Sequence, residues 1–338
     1  YRGIEYPKEQ ERGYDFNEDL YVPGYFEINI KKGETVVFSA GISEVSTRTL
    51  KNTFEEEKEK RVPRDNFQHC LINAAHQFLN VQGGESYILA GYPWFKCRAR
   101  DLFISLPGLT LAVDEVEKFE TVMETARKAV MRFINDEPDD LKIYEMEHPD
   151  VLLWAVWCIQ QYAKMVSREQ CREKYGKLLE EIMDYLRREN HPNLFVHSNG
   201  LVYSNGFDKA VTWMNSTANG RPVINRTGYI VEFNALWYNA LRFTADLLGE
   251  KGNTTFTDDL NEVAEKTGKA FVETFLNEHG YLLDYVDGNM MDWSVRPNMI
   301  FAAAFDYSPL DARQKKGVVD ICTKELLTPK GLRSLSPK

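Results

Sequence analysis

From residue 64 onward the chain is written almost wholly in helical periodicity, which restricts it to architectures made by stacking helices. Apolar residues recur at three- and four-residue spacing over 66–79, 101–112, 114–134, 149–165, 168–188, 231–248, 256–275, 297–305 and 310–326. Asp114, Ser167 and Thr257 or Asp258 stand where helix starts are expected. The connections alternate in length. Long, aromatic- and glycine-rich links at 81–99, 135–148, 191–229 and 277–296 take turns with short ones near 113, 167, 249–253 and 306–309. Successive antiparallel helices place alternate connections at opposite ends of an array, so every long link is expected at one end. A helical toroid with one decorated face follows. In a generic helical array the links would not segregate by length.

Upstream the pattern changes. Residues 25–30 alternate apolar and polar, a Lys-Lys-Gly-Glu turn follows at 31–34, and 34–41 reads as a second strand. Two strands do not make a stable domain alone, so 1–46 is read as the last strands of an N-terminal β domain. The start at Tyr1 rather than Met fits more chain ahead of it. Residues 47–63, ending in FEEEKEKR, read as a charged linker helix, and 64–338 as the helical domain.

Composition removes several classes of function. With 41 basic and 51 acidic residues the net charge is −10, and no basic run offers phosphates a footing, so nucleic acid is not expected as a partner. No apolar run approaches the roughly 18 residues of a membrane span, and none reads as a signal peptide. Five scattered cysteines without CxxC spacing argue against a disulfide framework or a zinc site and fit a reducing, cytoplasmic location. Six dispersed histidines supply no metal motif; His69 and His76, seven apart, read as structural. No metal or organic cofactor is expected, and nothing in the sequence sets the oligomeric state.

Chemistry concentrates in the long links. AGYPWFKCRARDLFISLPGL, from Ala90, sets Tyr92, Trp94 and Phe95 beside Arg100 and Asp101 at a helix start. Flat rings beside a guanidinium and a carboxylate suit a sugar, whose C–H faces stack on aromatics while its hydroxyls seek charged partners. Asp101, next to Arg100, is expected to stay ionised and accept hydrogen bonds from sugar hydroxyls. The link after residue 191 holds Asp208, Trp213 and Asn215, and leads to Glu232 and Asn234. The fourth link carries Asp284, Asp287, Asp292, Trp293 and Arg296. Glycoside hydrolysis needs one carboxylic acid and a second carboxylate, and these links supply candidates. Glu232 has a second reading, as a negative charge steadying a helix N-terminus.

GYPWFKCRARDLFISLPGL resembles the glycogen debranching enzyme family's G-Y-x-W-F-x-x-W-G-R-D-x-x-I-x-L-P-G-L. The likeness continues through TWMN, VEFNALWYNAL, RPNMIFA and LLTPKGLRSLSP, in family order from Tyr92 to Pro337. The resemblance implies an amylo-α-1,6-glucosidase domain: mainly α, a glucoamylase-like (α/α)6 toroid. Arg100 and Asp101 match the pair that holds hydroxyls of the terminal glucose. Trp94, Trp213 and Trp237 match aromatics near that pocket, and Glu232 and Asn234 match the Glu and Asn after the long link. It further implies hydrolysis of an α-1,6-linked glucose at branch points of a glycogen-like α-glucan. Tyr92, Trp293 and Arg296 complete the expected substrate-binding set.

The sequence departs from the family pattern in three places. Arg98-Ala99 replaces Trp-Gly. Asn215 stands at the Asp of T-W-M-D, which looks like the family's proton donor, and an amide cannot act as a general acid; Asp208 is the nearby carboxyl that could substitute. About nine helices are visible where six hairpins need twelve, and the His-Gln-Gly-Thr-Val-Trp block is absent, so the toroid is expected to be incomplete at its C-terminus. The rival reading is a non-catalytic α-glucan-binding homologue that lost the acid. A trehalase or an α-glucoside phosphorylase ranks behind both, the latter because no phosphate cradle stands out.

Overall fold

The computed structural model describes residues 1–92, 95–138, 140–250 and 254–337. The chain divides into two compact units, Tyr1–Gln77 and Phe78–Lys338.

In the first unit, Ile4–Glu5 pairs antiparallel with Asn17–Glu18 around α1 (Pro7–Glu11). The expected hairpin over 25–41 is not a hairpin. Its turn forms, with Glu34 N donating to Lys31 O at 3.0 Å and Gly33 at φ 88°, but the arms do not pair and residues 19–46 contain no strand. A two-stranded ribbon with nothing over its apolar face is marginal, and Tyr25 and Phe26 are 85% and 87% exposed. The charged linker segment is helical as α2 (Leu50–Glu59), with no buried residue.

The remaining helices are α3 (Phe67–Phe78), α4 (Ala99–Leu109), α5 (Val116–Ile134), α6 (Val151–Met165), α7 (Arg168–Arg187), α8 (Val231–Gly249), α9 (Thr254–Phe275), α10 (Ile300–Ala304) and α11 (Ala312–Glu325). Each segment expected from periodicity is helical, with ends moved by a few residues. Ser167 caps α7 by accepting from Gln170 N at 3.3 Å. Asp311 and Gln314 form a capping box on α11. Asp114 is no cap: it adopts a left-handed φ of 62° and α5 begins after Glu115.

From α4 onward the helices alternate in character. The sides of α6 and α8 are buried nearly all round, whereas α5, α7 and α9 each keep a polar face. A helix apolar on all sides needs neighbours on all sides. Here α4 packs on α6, α6 on α8 and α8 on α10, while α7 and α9 lie against α8, α5 against α7, and α11 against α10. The second unit is therefore two-layered, with even-numbered helices inside and odd-numbered ones outside.

The long connections all lead into the N-termini of inner helices, and they are tied together there. The first begins as a hairpin of β1 (Leu79–Gln82) and β2 (Glu85–Ile88), whose turn residues Gly83 and Gly84 both take positive φ. It then joins the second link through a parallel pairing of Cys97–Arg98 with Ile143–Tyr144. The second meets the third where Asn193 Nδ2 donates to Glu147 O at 2.9 Å. The third and fourth build a five-stranded antiparallel sheet from β3 (Phe195–Val196), β4 (Val202–Ser204), β5 (Gly228–Ile230), β6 (Tyr285–Asp287) and β7 (Met290–Met291), in the order β7-β6-β5-β4-β3. Gly228 permits the β5–β6 approach, since a Cβ there would lie 2.3 Å from Val286 O. The C-terminal segment joins them, Ser336 N donating to Val295 O at 3.0 Å.

His191, behind this face, makes the unit sensitive to acid. Its ring is buried, packs edge-on against Phe133 and Tyr185, and accepts at Nδ1 from Asn193 N at 3.1 Å. Burial pushes its pKa down to about 4 from the ordinary 6.5. Between those values the unfolded chain binds the proton and the folded one does not. The stabilisation is therefore complete above 6.5 and lost as pH falls toward 4, at a cost of about 3 kcal/mol. Urea melts at pH 7 and 4.5 should show that loss in the native protein but not in His191→Phe; equal losses would refute it.

Candidate active site

Two buried ion pairs frame the decorated end. The first centres on Arg100, the buried second residue of α4. Its Nε donates to Asp150 Oδ1 and Oδ2 at 3.0 and 2.8 Å, and its Nη2 to Asp150 Oδ1 at 2.8 Å and to Val211 O at 3.0 Å. Trp154 Nε1 adds a bond to Asp150 Oδ2 at 3.0 Å. Burial opposes the Arg100 charge, but Asp150 outweighs it and leaves the pKa above its ordinary value.

Arg100 and Asp101 are thus no pair. Consecutive residues of a helix point to different sides, so Arg100 turns inward to Asp150 and Asp101 stays exposed. Desolvation raises the Asp101 carboxyl pKa, outweighing the pull of Arg100 and Arg98. The side chain borders a small cavity of about 200 Å³ with Ala90, Ile104 and Ser105.

The second ion-pair group lies where α8, the sheet and the approach to α10 meet. Glu232, in the first turn of α8, has both oxygens on Arg226: Oε2 accepts from Nη2 at 2.7 Å and Oε1 from Nη1. Arg226 Nε donates to Asp284 Oδ2 at 2.8 Å and its Nη2 to Asp284 O at 3.2 Å. Asn298 Nδ2 donates to Asp284 Oδ1 at 2.7 Å, and Asn298 Oδ1 accepts from Trp213 Nε1 at 2.8 Å. All but Trp213 are buried. Desolvation raises the Glu232 carboxyl, with the Arg226 guanidinium opposing it. Arg226 itself is held above its ordinary pKa: burial works against the charge, and Glu232 and Asp284 overcome it.

The outer end of this chain of bonds is Trp213, 42% exposed and held by its indole nitrogen. A ring anchored at its polar edge with an open face is a platform on which a sugar can stack. The two groups adjoin, because the carbonyl that Arg100 holds is Val211, two residues before Trp213.

The expected site residues divide accordingly. Tyr92, Asp101, Asp208, Trp213, Asn215 and Trp293 are exposed at the long links. Trp94 lies outside the described residues. Arg100 is committed to Asp150, and Glu232, with both oxygens on Arg226, presents neither to a substrate, which favours its electrostatic reading over a catalytic one. Asn234 is consumed by the backbone, bonding Val202 N and O and Ile230 O at 2.8, 3.0 and 3.0 Å. Trp237 is core, donating to Gly200 O at 3.0 Å. Asp208 lines a cavity of about 260 Å³ with Asn193, Phe195, Asn205 and Lys209. Asp287 accepts from Tyr203 and Asp292 from Ser294 N. Arg296 is buried with its Nε 3.6 Å from Asp284 Oδ2. Among the described residues no cluster of His, Cys, Asp and Glu could hold a metal ion, and no helix is long and apolar enough to cross a membrane.

Sequence reasoning missed Asp150 and Arg226. Asp150 precedes α6 and reads as an ordinary helix cap. Arg226, six residues before Glu232, offered only that spacing as a signal.

A family model described as amylo-alpha-1,6-glucosidase matches residues 73–338, and one described as glycogen debranching enzyme N terminal matches residues 1–37. Among solved structures, the chain is similar to a Streptococcus pneumoniae protein from a family of metal-independent alpha mannosidases, in non-productive complex with alpha-1,6-mannobiose. The TM-score is 0.51 at 13% identity, over 86% of this chain and 81% of that one. At that identity the likeness is one of fold. A comparison with curated proteins found no match.

Proposed function

The chain belongs to the glycogen debranching enzyme family, and from that premise we propose that it hydrolyses α-1,6-linked glucose at branch points of a glycogen-like α-glucan. The observation that carries the reading is the family match over residues 73–338, which takes in every long link. The proposed architecture is a glucoamylase-like (α/α)6 toroid. The alternation of buried and amphipathic helices supports it, as does the likeness to a mannosidase fold.

In this reading Trp213 stacks the terminal glucose, Tyr92 and Trp293 flank the glucan, and Asp101 accepts from sugar hydroxyls. The chemistry is acid-assisted departure of the glucan oxygen with water attacking the anomeric carbon. Asn215 occupies the family's acid position on the exposed loop after Trp213, which specifically favours the second reading, a glucan-binding homologue without turnover. Glucose release from an isomaltosyl-branched dextrin separates the two: binding without release establishes the second, and neither binding nor release refutes both.

Asp101→Asn should weaken glucose or maltose binding by roughly 1.5–3 kcal/mol, the scale of a hydrogen bond to a charged group. Calorimetry showing unchanged affinity would remove Asp101 from the site.

A further inference from the structure

A cavity of about 690 Å³ lies among the C-terminal ends of α5 and α7 and the second long link, and none of the residues of the two ion-pair groups lines it. Its size is that of a small-molecule site, roughly 300–1,000 Å³. The walls combine flat rings with hydrogen-bond acceptors. Tyr144 is 41% exposed and is pinned by Lys96, whose Nζ lies 4.7 Å from the ring centre. Tyr185 stands edge-on to Phe133, with 5.8 Å between ring centres. Burial raises the pKa of the Tyr185 hydroxyl and the Asp136 carboxylate raises it further, so ring and acid share one wall. Among the described residues, the Tyr144 and Tyr185 hydroxyls and the Asp136 and Glu147 carboxylates have no hydrogen-bond or ion-pair partner.

The space continues past the second link. Pro192 also lines the cavity of about 260 Å³ that holds Asp208. Asn193, which lines that smaller space, donates to the carbonyl of Glu147 in the larger one at 2.9 Å. The two spaces therefore meet at Pro192, and the smaller is lined by the link that carries Trp213. Two spaces in series suit a ligand of several repeating units better than a compact one. Charge narrows the class. Asp136, Glu137, Glu145 and Glu147 line the larger space against one cation, Arg132, which Asp140 already holds. A phosphorylated ligand would be repelled, whereas sugar hydroxyls donate to carboxylates and sugar C–H faces stack on rings.

We propose that the two spaces form one groove for the unbranched chain of the glucan, which passes from the Asp208 side over Pro192 and lays a glucose ring on Tyr144 with hydroxyls donating to Asp136. The assignment rests on the glucan reading above and adds a chain-length preference to it: recognition extends well beyond the terminal glucose on Trp213. A chain already held at its end meets the groove at high effective concentration, so even weak stacking there adds to affinity.

Calorimetry with two probes that share the same terminal glucose tests this: isomaltose, and maltoheptaose bearing one α-1,6-linked glucose. Native protein should bind the longer probe at least about tenfold more tightly. Tyr144→Ala and Asp136→Asn should each remove most of that gain, while isomaltose affinity stays within about twofold. Both side chains are exposed and asparagine accepts the left-handed φ of 55° at position 136, so melting temperatures should stay within about 2 °C of native. Equal affinity of native protein for the two probes overturns the groove and leaves the glucan reading intact. A length gain that either variant keeps does the same, because the chain then runs elsewhere. Parallel loss for both probes would make these residues part of the glucose subsite or of the fold, and also overturns the groove. Native protein that binds neither probe overturns the glucan reading and the groove together.

Discussion

Arg226→Met should destabilise the helical unit by about 3–5 kcal/mol, the scale for removing one partner of a buried ion pair. The substitution keeps most of the volume but leaves Glu232 and Asp284, both about 98–99% buried, as neighbouring charges without a cation between them. The loss should be smaller if Glu232 goes too, in Arg226→Met with Glu232→Leu, because Asp284 then keeps Arg296 at 3.6 Å and the bond from Asn298. Urea denaturation of the single and double variants measures both. As a comparison, Arg188→Ala breaks the pair with Asp184 at the C-terminal end of α7, where the side chains are 70% and 39% exposed, and should cost no more than about 1 kcal/mol. An Arg226→Met loss as small as that would show that water reaches the cluster and that it does not brace the site. The effect should extend to ligand binding, because Arg226 holds Asp284, Asp284 holds Asn298, and Asn298 holds Trp213.

That chain of bonds also marks the limit of what the sequence disclosed. Helical segments and the alternation of link lengths are local features, written in periodicity and glycine content, and they were legible; so was the convergence of the long links, which follows from antiparallel connectivity. Exposure was legible as well: Tyr92, Asp208, Trp213, Asn215 and Trp293, candidates read in those links, all reach the surface. Partnerships were not. Adjacency in sequence paired Arg100 with Asp101, but helix geometry sends them to different sides, and the true partner, Asp150, is fifty residues away. Arg226 joins residues 232 and 284 through a sheet register that no local pattern encodes. The hairpin reading over 25–41 failed for a related reason: alternation and a good turn specify a ribbon only when something covers its apolar face.

Asn215→Asp should raise glucose release from a branched dextrin by at least about tenfold, equivalent to roughly 1.4 kcal/mol of barrier, and by as much as the 10²–10⁴-fold that general acid catalysis typically contributes. Asn215 is exposed on the loop leaving the anchored Trp213, so the change meets no packing and should alter stability by no more than about 0.5 kcal/mol. The restored carboxyl must be protonated to act, so the gain should vanish as pH rises through its pKa, a falling limb that Asn215 cannot produce. The competing arrangement has Asp208 as the acid already. In that case Asp208→Asn abolishes release while Asn215→Asp changes little. Asp208 stands in its own cavity with Asn193 and Lys209, whereas position 215 follows the platform ring directly. That placement favours 215. A native protein with rapid turnover, indifferent to Asn215→Asp, would move the acid away from this loop.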